Sequence, residues 1–295
     1  LVWTLFFGLV LSPGIAFDFE ITDALGRKVE VPSTPKRIVG LTDALSDFFF
    51  ALGAGDRLAG KTTFADLPPD ADALPLIGPE IWPEVELVLA CRPDLVVAER
   101  TVTPPEVIEQ LSDQELPVYV NWFHRPAEVG EAVRRLGQVI DAEPQGRRLA
   151  NRIQSDVREV TGAVEGAKPT PILILLDQDT LLVPGGGTFA DMMIQLAGGV
   201  NVAHDLVDRT PRLDVRDIVA RGPEVIVLAT RSRKAAKRNE YRFWRQISGL
   251  PEDHRVIIMD PAPLTGPTPR IGQALKRLAR AAHPEIMGPA EPNPD

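Results

Sequence analysis

ELVLACRPDLVVA (Glu86–Ala98) and RDIVARGPEVIVLA (Arg216–Ala229) share one spacing: Glu86, Ala90, Pro93 and Asp94 correspond to Arg216, Ala220, Pro223 and Glu224, 130 residues later. In each, a short helical pattern stops at proline, which lacks the N–H a helix needs and drives the preceding residue out of helical geometry. An aliphatic run follows, LVVA in one and VIVLA in the other, as in a strand buried on both faces. Helix, stop and buried strand, twice over, predict an α/β chain with two lobes of one plan.

The same rhythm extends outward. Strands are predicted at Arg37–Leu41, Leu58–Lys61, Asp94–Ala98 and Pro117–Asn121, and again at Pro171–Asp177, Leu181–Pro184, Val225–Ala229 and Arg255–Asp260. Between the halves, Pro126–Gly166 has no strand pattern. From Pro144, suited to a first helical turn, Leu149, Ile153, Val157, Val160 and Val164 recur at helical spacing. One long helix is expected to join the lobes, ending near Gly162, Gly166, Pro169 and Pro171. The expected organisation is an export signal over 1–16, an N-terminal lobe over 17–142, the connecting helix over 143–167, a C-terminal lobe over 168–286 and a tail over 287–295.

At 295 residues and 44% hydrophobic content the chain can bury enough surface for one large domain or two ordinary ones. A net charge of -9, from 41 acidic and 32 basic side chains, repels phosphate backbones, so no nucleic-acid partner is expected. Leu1–Leu11 is apolar but too short to span a bilayer, and small residues at the -3 and -1 positions of a cut after Ala16 read as a secretory signal; the alternative is a buried N-terminal strand. With no second long apolar run, the exported chain is expected to be soluble. Cys91 is the sole cysteine, which leaves no internal disulfide and no cysteine-based zinc site. Because no cysteine follows the apolar run, a free periplasmic monomer is expected, not a tethered lipoprotein.

Residues for catalysis do not assemble. No G-x-S-x-G elbow is present, and His124, His204, His254 and His283 form neither H-E-x-x-H nor a close pair, so neither a catalytic group nor a resident metal or cofactor is expected. Gly185-Gly186-Gly187-Thr188 follows an apolar run and opens a helix near Phe189. It reads either as backbone N–H groups around an anionic ligand group or as a tight turn needing glycine. Phe64, Trp82, Trp122, Phe123 and Phe189 fall just after predicted strands or in adjoining loops, near where an open α/β sheet forms its ligand crevice. Arg100, Arg125, Arg209, Arg231 and Arg270 fall in similar loops and are expected either to make a positive cleft or to be solvated.

A resemblance gathers these features. TDALGRKVEVP (Thr22–Pro32), PKRIVGL (Pro35–Leu41), ALGAGDRLAG (Ala51–Gly60), FADLPP (Phe64–Pro69), LPLIG (Leu74–Gly78), VELVLACRPDLVV (Val85–Val97), GGGTFADMMIQLAGGVNVA (Gly185–Ala203) and PTPR (Pro267–Arg270) occur in one order. Over about residues 18 to 286 the chain resembles the periplasmic binding proteins for iron complexes and vitamin B12. The resemblance implies a class III fold: two lobes with mainly parallel sheets flanked by helices, connected by a single long α-helix, with the ligand held between them. It implies capture of an iron complex (siderophore or haem) or cobalamin, and delivery to an inner-membrane ABC permease with its ATPase.

It also implies site residues. Ligand contacts are expected from Thr42, Asp43, Phe64, Trp82 and Trp122 on the first lobe and from Thr188, Phe189, His204 and Arg270 on the second. His204 is placed either to reach a metal centre in the ligand or to make a structural hydrogen bond. In the family an acidic residue on each lobe docks on permease arginines; Glu86 matches the first, while the second position is Arg216, with Asp214 or Asp217 as the nearby carboxylate. Stacked tryptophans on both lobes would favour a corrinoid, and an arginine-rich cleft an anionic iron chelate. A secreted enzyme and a ligand sensor on the same scaffold are the other readings.

Overall fold

The computed structural model describes residues 17–63, 65, 67–230 and 240–290; the expected export signal, Phe64 and Arg231 lie outside them. The chain divides into two compact units. One takes the chain up to Asp43, Asp56–Asn121 and Val139–Asp141; the other takes Ala44–Gly55, Trp122–Gln138 and the chain from Ala142.

The first unit begins with an antiparallel hairpin, β1 (Phe17–Thr22) and β2 (Lys28–Pro32). Its turn is fixed by buried Asp23, which accepts the backbone N–H groups of Leu25 and Arg27 at 2.9 Å and the Arg27 guanidinium at 2.7 Å. Arg27 also donates to the carbonyl of Val118, tying the turn to the end of the main sheet. That sheet is parallel, with order β4-β3-β5-β6 from β3 (Ile38–Gly40), β4 (Leu58–Gly60), β5 (Leu95–Glu99) and β6 (Val118–Asn121). Every residue of these strands is buried, as a parallel sheet covered on both faces requires. Helix α1 (Asp43–Ala51) follows β3 in the chain but belongs, beyond Asp43, to the other unit, while within the first unit α2 (Val85–Ala90) precedes β5 and α3 (Pro105–Ser112) leads to β6. Val88, Val107, Ile108 and Leu111 from these helices join Val39, Val96 and Val120 in one core.

In the second unit α4 (Val129–Val139) precedes α5 (Glu143–Ala163), whose Ala150, Ile153, Val157 and Val160 are buried at helical spacing. Its sheet is again parallel: β7 (Thr170–Leu175), β8 (Gly199–Asn201), β9 (Val225–Ala229) and β10 (Arg255–Met259) lie in the order β10-β9-β7-β8. Numbered within its own sheet, each unit therefore runs second, first, third, fourth. Helices α6 (Phe189–Leu196), α7 (Val215–Arg221), α8 (Glu240–Gln246), α9 (Ala262–Thr265) and α10 (Ile271–Ala282) complete the unit. The two repeated stretches thus become α2–β5 and α7–β9, each feeding the third strand of its sheet. Asp214 caps α7 by accepting the Asp217 N–H at 2.8 Å, and Gly222 closes it in the left-handed conformation ahead of Pro223.

One expected strand is corrected. Leu181–Pro184 forms none: Leu182 makes only isolated antiparallel bridges to Asp177 and Arg212, and Leu181 has φ 52°, which breaks an extended ladder. The sheet edge is β8 instead, a three-residue GVN strand too short and too glycine-rich to register as an apolar run.

Candidate functional site

In the first sheet β3 has β4 on one side and β5 on the other. Connections leave it in opposite directions, which makes the carboxyl ends of these strands the place where an open sheet of this order holds a ligand. Thr42 and Asp43 stand there. Thr42 is buried, and Asp43 opens α1. The Asp43 N–H donates to Glu80 Oε2 at 3.0 Å, and the Thr62 hydroxyl donates to the Asp43 carboxylate. Burial pushes the Glu80 carboxyl up from its ordinary range; the Asp43 N–H opposes this and the Asp43 carboxylate adds to it. Hydrogen bonds from Trp82 N–H to Pro79 O (3.0 Å) and from Glu84 N–H to Ile77 O (2.9 Å) close the turn that carries Glu80. At its tip Ile81 and Trp82 are 70% and 58% exposed. Glu80 escaped the sequence reading because its partner lies 37 positions away and PEIWPE matches no motif.

Past β6 the side chains alternate. Phe123 is buried and stacks on Phe48 with ring centroids 4.9 Å apart, so it belongs to the core and not to an aromatic wall. Trp122 is exposed and stacks on His124 at 5.0 Å. Trp244, the second-half indole, is buried against Leu228 and Ile258, which removes it as a stacking surface.

In the second unit the expected residues Thr188, Phe189 and His204 meet around the carboxyl ends of β7 and β8. Thr188 caps α6: its hydroxyl accepts the Asp191 N–H at 3.2 Å and donates to Gly185 O at 2.8 Å. Phe189 is buried as the first residue of that helix. The glycine loop does not cradle an anion. Gly185 N–H donates to Arg209 O (3.1 Å), Gly186 N–H to Leu206 O (3.0 Å) and Gly187 N–H to Asp191 Oδ2 (3.0 Å), so all three N–H groups are committed. The glycines serve close approach: a Cβ on Gly185 would collide with Asp208 O, and one on Gly186 with His204 O. Asn201 of the GGVN turn clamps the exit of β8, donating to Pro184 O at 2.9 Å and accepting the Ala203 N–H at 3.0 Å.

His204 projects from this frame. Its ring Nδ1 lies 3.0 Å from Asp191 Oδ1; the imidazole is 59% exposed and the carboxylate 1%. Asp191, not anticipated from the sequence, also accepts Gln195 Nε2 at 3.0 Å. Arg270 does not supply free positive charge, since its Nη2 lies 3.6 Å from Asp260 Oδ2 and 4.0 Å from Asp47 Oδ2. Glu86 is exposed in the first turn of α2, and Asp217 and Arg216 are exposed on α7 beside the capping Asp214. A depression of about 570 Å³ lined by Lys168, Glu224, Arg255 and His283 sits at the amino ends of β7, β9 and β10, the edge opposite the candidate ligand residues.

Known proteins share this architecture. The haem-binding protein RhuT of Roseiflexus sp. RS-1 superposes with a TM-score of 0.68 at 26% identity, covering 85% of this chain and 99% of that one. The vitamin B12-binding protein BtuF of Vibrio cholerae superposes at 0.73 and 21% identity, covering 87% and 99%. In sequence the chain is 28% identical, over 92% of its length and 87% of the relative's, to an uncharacterised ABC transporter substrate-binding lipoprotein of Bacillus subtilis strain 168. That description overturns the expectation of a free, unanchored protein. The expectation rested on the lack of a cysteine directly after the apolar run, at the expected cut after Ala16, which speaks only for the residues of this sequence. Residues 38–245 match the model of a family of binding proteins that serve transport, and the chain belongs to it: the Periplasmic binding protein family.

Proposed function

We propose that this chain is the substrate-binding component of an ABC importer and that its ligand is a metal-centred tetrapyrrole, cobalamin or haem. The observation that carries the reading is the Ile81–Trp82 tip. An isoleucine and an indole stand exposed at the carboxyl edge of the first sheet, on a turn anchored to the start of α1 through Glu80. A broad apolar tip on a fixed turn suits the flat face of a macrocycle.

On this reading Thr42, Asp43 and Trp82 on the first unit contribute contacts, with Trp122, Thr188, Phe189, His204 and Arg270 on the second, and no step of catalysis is required. Glu86 and Asp217 offer exposed carboxylates to the permease, whereas Asp214 is engaged as a helix cap. We further infer an N-terminal lobe over 17–142, a connecting segment over 143–167 built on α5, and a C-terminal lobe over 168–286.

The test is a ligand panel of cyanocobalamin, haemin and ferric siderophores, followed by thermal unfolding and visible absorbance. At about 100 times Kd a true ligand adds roughly 2.7 kcal/mol of stability. A shift with a tetrapyrrole alone supports the reading; a shift only with a siderophore, or with none of the panel, defeats it.

A further inference from the structure

The depression at the amino ends of β7, β9 and β10 has no part in the reading above. It lies wholly within the second unit and carries charge of both signs, Lys168 and Arg255 beside Glu224, Asp253 and Glu285. Glu224 and Arg255 are half-buried at the start of neighbouring strands, and the Arg255 N–H donates to the Glu224 carbonyl at 2.8 Å. Their side chains are near enough in the fold to invite pairing. Among the described residues, however, neither Arg255 nor Lys168 forms an ion pair with a carboxylate.

The donor left over is a specific one. A guanidinium takes a carboxylate through two N–H groups that share one edge. Arg27 places its Nε and Nη2 on Asp23 Oδ2 at 2.9 and 2.7 Å, and Arg37 turns the same edge to the Cys91 carbonyl. In Arg255, Nη1 reaches the Ala282 carbonyl at 3.5 Å, while Nε is buried and finds no acceptor among the described residues. A buried N–H without an acceptor is a standing cost, and a turn of the guanidinium toward an acceptor in the depression would remove it.

The walls around it are fixed. The Thr170 hydroxyl donates to the Ala282 carbonyl at 3.0 Å, and buried His283 donates from Nε2 to the Gly198 carbonyl at 2.9 Å. Helix α11 (Pro284–Met287) then turns over the His283 carbonyl, which accepts the Met287 N–H at 2.9 Å, and sets Glu285 on the rim with Oε1 3.5 Å from His283 Nδ1. An anion alone would meet three carboxylates here, and a cation alone two basic side chains. A ligand with both charges finds a partner at each end.

We propose that this depression binds a small zwitterion, a molecule of amino-acid or short-peptide size carrying a carboxylate and an ammonium group. Arg255 receives the carboxylate; Glu224 and Asp253 receive the ammonium. The site lies on the edge away from the candidate ligand residues, so it stands apart from the transport reading.

Amide NMR of the whole chain tests this, with glycine and triglycine as zwitterions and acetate, inorganic phosphate and ethylamine as probes of single charge. Triglycine or glycine should shift the Thr170, Glu224, Arg255 and His283 signals saturably, and the single-charge probes should bind about tenfold more weakly. Arg255→Lys, which keeps the charge without the two-pronged edge, should weaken triglycine binding about tenfold. Asp253→Asn, at an exposed position where the fold is not at risk, should weaken triglycine binding and leave acetate binding unchanged. Binding of acetate, phosphate or ethylamine as tight as that of triglycine would overturn the zwitterion assignment. Absence of any saturable shift, or triglycine binding that both variants leave intact, would overturn the site itself. Neither result bears on the tetrapyrrole reading, which the ligand panel decides.

Discussion

The two units have the same strand order, and each ends its sheet in loops that carry candidate ligand groups, yet those loops are built from opposite chemistry. The first unit fixes a turn with a carboxylate, Glu80, on a backbone N–H and exposes an apolar tip, Ile81–Trp82. The second buries a carboxylate, Asp191, and exposes a polar ring, His204. Strand order determines where a crevice can open, and the few residues after each strand determine what it can hold.

The largest separation between the units should appear at their tryptophans. Trp244 is buried and packs edge-to-face on Phe243 with centroids 5.1 Å apart, so Trp244→Ala should cost about 3–5 kcal/mol, seen as a lower urea midpoint. Trp82 is exposed, and Trp82→Ala should change stability by less than about 0.5 kcal/mol while weakening tetrapyrrole binding roughly tenfold. Equal stability losses would show that the tip of the first unit is part of its core and would break the contrast.

A smaller effect separates the glycines. In the second unit a Cβ at Gly186 meets the backbone carbonyl of His204, which cannot swing aside, so Gly186→Ala should cost about 1–3 kcal/mol and also displace the imidazole. In the first, Gly78 has φ 91° and its nearest neighbour would lie 3.2 Å from an added Cβ; Gly78→Ala should cost about 1–2 kcal/mol, mainly from the backbone angle. Thermal unfolding ranks the two, and a larger loss in Gly186→Ala than in Gly78→Ala would sharpen the difference.

Strands β5 and β9 were legible because a parallel strand buried on both faces must be a continuous aliphatic run. The hairpin β1–β2 was not, since β2 alternates exposed and buried residues over only part of its length. The site divided in the same way. Trp82 could be named from its loop near a predicted strand and His204 from the GGVNVA motif of the resemblance, but Glu80 and Asp191 act on partners 37 and 13 positions away, and no local pattern encodes that meeting. The glycine loop misled in one of its two readings: three glycines suit an anion cradle and a close backbone crossing equally, and only the carbonyls of Arg209, Leu206 and His204 decide between them.

The smallest predicted effect concerns the Glu80 anchor and its pH dependence. Burial raises the folded-state pKa of Glu80 above its ordinary value of 4.5, so the folded chain holds this proton more tightly than the unfolded chain does. Its contribution to stability is therefore complete below the unfolded value and is lost as pH rises through the raised folded value. Glu80→Gln keeps an acceptor for the Asp43 N–H but cannot ionise, so its stability relative to wild type should increase as pH rises from about 4 to 7. Urea midpoints across that range measure the difference. A gap that stays constant with pH would mean that Glu80 titrates normally and that the turn bearing Trp82 is held by its backbone hydrogen bonds alone; a gap that widens toward neutral pH would make the first unit's anchor an ionisable one.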